Sequence, residues 1–136
     1  MNPARILSHR DAARIIDVVR AELETNQLGA AVAVVDLHGE LLAFLRTDGC
    51  RLPSIDIAIN KAYTAAREQI ESGDLGERSR EEGFPMTNFG ALRYVTWGGG
   101  IPIKVDGQTI GAVGVSGLPE AEDIALARTG AHLITG

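Results

Sequence analysis

The chain has 136 residues, with 13 Lys+Arg against 18 Asp+Glu and a formal charge of −5 at neutral pH. That length is one domain's worth, and 45% hydrophobic with 23% charged residues excludes disorder along the whole chain. A net acidic chain with no basic block is a poor nucleic-acid binder. No apolar run reaches the roughly eighteen residues of a membrane span, and the lone Cys50 excludes an internal disulfide or a cysteine zinc cage.

Met1 to Leu7 lacks the apolar stretch of a signal peptide, so a cytoplasmic location is expected. Aromatics are only 4% against sixteen glycines. Such a chain brings backbone close to backbone.

Ser8 is a suitable N-cap for a helix over about 9–26, with Ala12, Ile15, Ile16, Val19 and Leu23 on one face and Gly29 beyond its end. Ala30–Val35 and Leu41–Leu45 are apolar runs around a His38-Gly39 turn and predict a β-hairpin. Neither run alternates cleanly, so both faces of the sheet are expected to be covered. Ser54 is expected to cap a second helix over about 55–70, with Ile55, Ile59, Ala62, Ala66 and Ile70 as its apolar stripe.

Residues 71–92 predict a short polar helix at about 74–82 and then a loop. Tyr94–Trp97 predicts a strand, Gly98-Gly99-Gly100 interrupts it, and Ile101–Val105 resumes it. Asp106-Gly107 is a strong hairpin signal ahead of a return strand over Thr109–Val115. Pro119 with Glu120, Glu122 and Asp123 opens a last helix that is expected to run to about Ile134. Strands paired through hairpins with helices packed on them define a single α+β domain over residues 1–136.

Few residues carry recognisable chemistry. Gly111, Gly114 and Gly117 lack the dinucleotide-binding spacing. They fit close strand–helix packing, or, at Gly117 with Ser116, an anion contact at the start of the last helix. Gly98–Gly100 reads as a bulge or as a bare backbone wall for a ligand. On the second helix Asp56, Asn60 and Arg67 share a polar flank beside Tyr63. Lys61 lies on the opposite border, so Asp56 and Lys61 do not converge from this helix alone. Lys61 is either a snorkelling interface lysine or a partly buried one able to bind an anion or act as a base. His9, His38 and His132 have no metal-ligand spacing. Met86 and Tyr63 could ligate a haem iron only in the sense that their side chains are able to.

The stretches Ser54–Ala66, Gly98-Gly-Gly-Ile-Pro-Ile103 and Ile110-Gly-Ala-Val-Gly-Val-Ser-Gly117, with Asp123 beyond, resemble the GlcG/HbpS-like family, which includes the C-terminal domain of PduO-type proteins. Ala33–Asp36, Gly39 and Arg46–Gly49 match its first hairpin. The resemblance runs from about Ser8 to Ile134. It implies a profilin-like α+β fold with a five-stranded antiparallel sheet, and homo-oligomers from dimer to octamer. It also implies a small-molecule ligand, with haem as a candidate cofactor, and an accessory place beside catabolic enzymes. Carried over, the matching positions are Asp56, Lys61, Gly99, Gly100, Pro102, Gly114, Ser116 and Gly117; the expected ligand-binding residues are Lys61, Tyr63, Asn88, Gly99, Gly100, Pro102, Ser116 and Gly117, with Lys61 pairing with a ligand carboxylate. The segment Phe84–Phe89 keeps Asn88 but departs from the usual glycine pair. The alternative is a cofactor-free lyase, isomerase or hydrolase acting on a small organic acid. In it Lys61 or Asp56 is the acid/base, and Tyr63, Asn88 or Arg93 orients the substrate.

Overall fold

Helix α1 (His9–Thr25) leads into strands β1 (Ala31–Asp36) and β2 (Leu41–Arg46), then helices α2 (Pro53–Glu68) and α3 (Ser72–Glu82). Strands β3 (Gly100–Val105) and β4 (Gln108–Ser116) follow, and α4 (Glu120–Ala131) closes the chain. This computed structural model describes residues 5–90 and 92–135; expectations touching Met1 to Ala4, Ala91 and Gly136 lie outside the described residues. The strands form one antiparallel sheet in the order β2-β1-β4-β3. The α+β class is as expected, with four strands instead of five.

The missing strand is Tyr94–Trp97, which makes no ladder. Its polar groups are claimed by side chains instead. Thr64 Oγ1 accepts from the Val95 amide at 2.9 Å, and Ser72 Oγ donates to the Trp97 carbonyl at 2.7 Å. Arg93 Nε donates to Asn60 Oδ1 at 3.1 Å, and the Tyr94 hydroxyl donates to Glu68 at 3.1 Å. Asn60, Thr64 and Glu68 are four apart, so one stripe of α2 clasps the segment. Burial and the Glu68 carboxylate push the Tyr94 phenol above its ordinary pKa.

The two faces of the sheet are covered differently. Ile15, Val19 and Leu23 of α1 and Ala127 of α4 lie over Val32, Val34, Val113 and Val115. On the other face α2 sets Ala58, Ala62 and Ala65 against Ala31, Ala33, Val35 and Ala112. The Ile-rich stripe expected for α2 is therefore corrected: Ile55 and Ile59 are half-buried, and the alanines face the sheet. The reason is distance. Gly114 pairs with Ala33 on one side and Gly100 on the other, and a Cβ on Gly114 would lie 2.7 Å from the Ala62 nitrogen. Only small residues fit where backbones approach this closely.

Two boundaries differ from expectation. Helix α2 begins at Pro53, so Ser54 lies inside it and does not cap it; no side chain caps this end. Helix α1 ends at Thr25, as expected, where the Asn26 side chain donates back to the Glu22 carbonyl. Helix α4 ends at Ala131, short of Ile134. Ser8 does cap α1, accepting from the Asp11 amide at 3.0 Å.

Candidate functional site

A cavity of about 530 Å³ opens where the first turn of α2 meets the β4–α4 turn. Arg51, Pro53 and Ser54 bound it from the α2 side, Ser116, Gly117 and Leu118 from the β4 side, and Trp97 with Gly98 from the clasped segment. Two helix amino ends thus point toward one space, and each carries partial positive charge.

Lys61 lies in the wall of this cavity, 3% exposed. Its Nζ donates to the Val115 carbonyl at 2.9 Å and to Asp123 Oδ2 at 3.2 Å. The snorkelling reading is therefore overturned: the ammonium is held inside the protein by a buried carboxylate. Asp123 also accepts from the Leu118 amide through Oδ1 at 3.1 Å, which fixes the turn into α4. Burial pushes the Asp123 carboxyl above its ordinary range; Lys61 and the Leu118 amide pull the other way without cancelling it.

Gly99 lies directly behind the pair. Its φ is +124°, and a Cβ there would lie 3.0 Å from Lys61 Nζ and 2.7 Å from the Val115 carbonyl oxygen. The glycine run is thus a packing wall against α2 and α4, with Gly98 alone reaching the cavity.

The structure brings together only part of the expected set. Lys61, Ser116 and Gly117 share the cavity, with Gly99 and Gly100 packed behind Lys61. Pro102 lies in a separate groove with His132 and Lys104. Tyr63 is at the far end of α2, under the Arg93 guanidinium at 3.9 Å and the Arg67 guanidinium at 5.0 Å. Asp56 and Asn88 are exposed and line none of these spaces. Arg93 is occupied by Asn60 and Tyr63.

Sequence reasoning missed Arg51, Ser54, Trp97 and Glu120 as wall residues, and Asp123 as the partner of Lys61. The acidic first turn of α4 was legible, but that one of its carboxylates turns inward was not.

The sequence and the fold have recognisable relatives. The family described as haem degrading protein HbpS-like matches residues 7–132. Protein GlcG of Escherichia coli K12 is 39% identical over 117 residues, covering 82% of this chain and 81% of GlcG. A double mutant of HbpS from Streptomyces reticuli superposes with a TM-score of 0.86 at 27% identity, over 98% of this chain and 90% of that one. A complex of PduOC with haem gives 0.87 at 26% identity, over 96% of both chains. The protein has an α+β fold, and it belongs to the family described as haem degrading protein HbpS-like.

Proposed function

We propose that this chain is a small-ligand-binding protein whose ligand occupies the cavity between the amino ends of α2 and α4. The observation that carries the reading is the Lys61–Asp123 pair, buried at the wall of a space large enough for a small molecule. Of the expected binding residues, Lys61, Ser116 and Gly117 belong to this cavity, supported from behind by Gly99 and Gly100.

Haem is the ligand that the family's description and the PduOC complex suggest. The residues of this cavity do not fit it: among the described residues no His, Cys, Met or Tyr lines the space, and Lys61 already has two partners. His9 and His38 are exposed, His132 lies in the second groove, Cys50 is half-buried outside the cavity and Met86 is buried elsewhere. A titration of tag-free protein with haem, followed in the Soret region, decides the point. A saturable, stoichiometric shift, lost on replacing one of those side chains or Tyr63, establishes a haem site away from the cavity. A flat response removes haem from the reading.

The chain is further proposed to act in the cytoplasm as a homo-oligomer between dimer and octamer, accessory to a catabolic pathway. Exposed Leu52 and Trp97 beside the cavity support self-association. Light scattering coupled to gel filtration tests it: a multimer is expected, and a monomer at every concentration overturns it.

A second reading, a cofactor-free enzyme on a small organic acid, is favoured by the raised Asp123 pKa beside Lys61. There Lys61 is the acid/base and Asp123 takes the place first expected of Asp56. Turnover in metal- and haem-free protein, abolished by Lys61→Ala, is the expected result; no turnover on any small acid overturns it.

A further inference from the structure

The formal charges in the cavity wall cancel: Arg51 and Lys61 stand against Glu120 and Asp123. The hydrogen-bonding capacity does not. Asp123 gives Oδ2 to Lys61 and Oδ1 to the Leu118 amide, and Glu120 accepts from the Gly98 amide at 3.0 Å. Each wall carboxylate is thus engaged. The donors are left over. An ammonium carries three hydrogens, and Lys61 has two partners. The Arg51 side chain makes no hydrogen bond among the described residues. Ser54 and Ser116 are 6% and 5% exposed, and neither hydroxyl has a partner among the described residues. No buried side-chain oxygen among the described residues lacks a partner, so these two hydroxyls are open to the cavity and not sealed in the core. Two such hydroxyls in one cavity, between two helix amino ends, are groups waiting for an acceptor.

Resting on the binding-protein reading above, we propose that the cavity takes a small organic anion with a single carboxylate, received by Ser54, Ser116 and Arg51. Its apolar body then lies against Ile57, Leu118 and Trp97. Lys61 contributes its remaining hydrogen, not its full charge, because Asp123 neutralises it. The limit of one negative charge follows from the same wall. A dianion would bring its second charge against Asp123 and Glu120, whose repulsion is only partly offset.

Trp97 is the sole tryptophan and stands on the rim, 62% exposed, so its fluorescence reports occupancy. The experiment titrates the protein with benzoate and butyrate, with benzamide and butyramide as neutral matches, and with inorganic phosphate. At least one acid is expected to saturate the signal about tenfold or more tighter than its amide, with phosphate weaker than that acid. In the Ser54→Ala, Ser116→Ala double variant the acid is expected to weaken about tenfold or more, with the melting temperature unchanged or raised, because no internal bond is lost. Equal affinity for acid and amide, tighter binding of phosphate, or an unchanged double variant overturns the assignment. So does the absence of saturable binding by either acid. In that case a saturating haem titration keeps this chain a binding protein with its site away from the cavity, and a flat one removes the binding-protein reading as well.

Discussion

The two faces of the sheet solve the same problem by opposite means. Under α1 and α4 the core is built of volume: Ile15, Leu23, Val32, Val34 and Val113 interlock, each fully buried. Under α2 it is built of proximity, alanine against alanine and helix backbone against Gly114 and Gly100. Apolar area does the work on the first face. On the second, little side-chain area exists, and close main-chain contact with dispersion replaces it. The lesson is that Lys61 is carried by the thin face. Only a helix this near the sheet lets a lysine reach the Val115 carbonyl and Asp123 from the α2 side.

Five variants and one pH series probe this contrast. The largest effect is expected where the thin face holds its charge. Asp123→Ala strands a buried ammonium and costs about 3–5 kcal/mol in urea unfolding. Replacing both partners together, Lys61→Met with Asp123→Leu, recovers most of that loss; failure to recover would show that the pair does more than neutralise itself. On the thick face, Ile15→Ala opens a cavity at a cost of about 2–5 kcal/mol. The thin face responds to the reverse change. Gly114→Ala adds one methyl and costs about 1–3 kcal/mol, because Ala58 and Ala62 must retreat. If calorimetry finds Gly114→Ala neutral, the description of that face by proximity is wrong.

Smaller still, about 1–2 kcal/mol, is the expected loss in Ser72→Ala, which leaves the Gly100 amide and the Trp97 carbonyl without their shared hydroxyl. The smallest effect is a slope. The folded-state pKa of Asp123 is raised above the ordinary 3.8, so the folded protein binds this proton first as pH falls. Its contribution to stability is fully present below the unfolded value and is lost as pH rises through the folded one. Wild-type protein is therefore expected to gain on Asp123→Asn in melting temperature as pH drops toward 3.8. The opposite slope would mean that the ion pair with Lys61 outweighs burial.

Most of the fold was legible because its signals are local. Helical periodicity marked α1, Asp106-Gly107 marked the β3–β4 hairpin, and Pro119 marked the start of α4. The errors arose where a partner distant in sequence decides. Tyr94–Trp97 has strand composition, yet Thr64 and Ser72 take the groups a ladder would need. The isoleucines of α2 suggested its buried stripe, yet Gly114 and Gly100 on two other elements dictate that alanines face the sheet. Lys61 was singled out for its apolar neighbours. Its partner Asp123 lies 62 positions away, a separation no periodicity reveals. Tyr63, Pro102 and Asn88 were grouped with Lys61 by motif, and three dimensions separate them.

The clasped segment 92–99 has one more consequence. Ladder strands share their main-chain bonds cooperatively, but Val95 and Trp97 each hang from a single hydroxyl of a different helix. Neither fastening belongs to a ladder, so residues 94–97 open at lower free energy than β1 or β4. Their amides are expected to exchange with deuterium well ahead of the strands. The side chain that rims the cavity, Trp97, rides on that segment, and the entrance is therefore the part of the molecule that yields first.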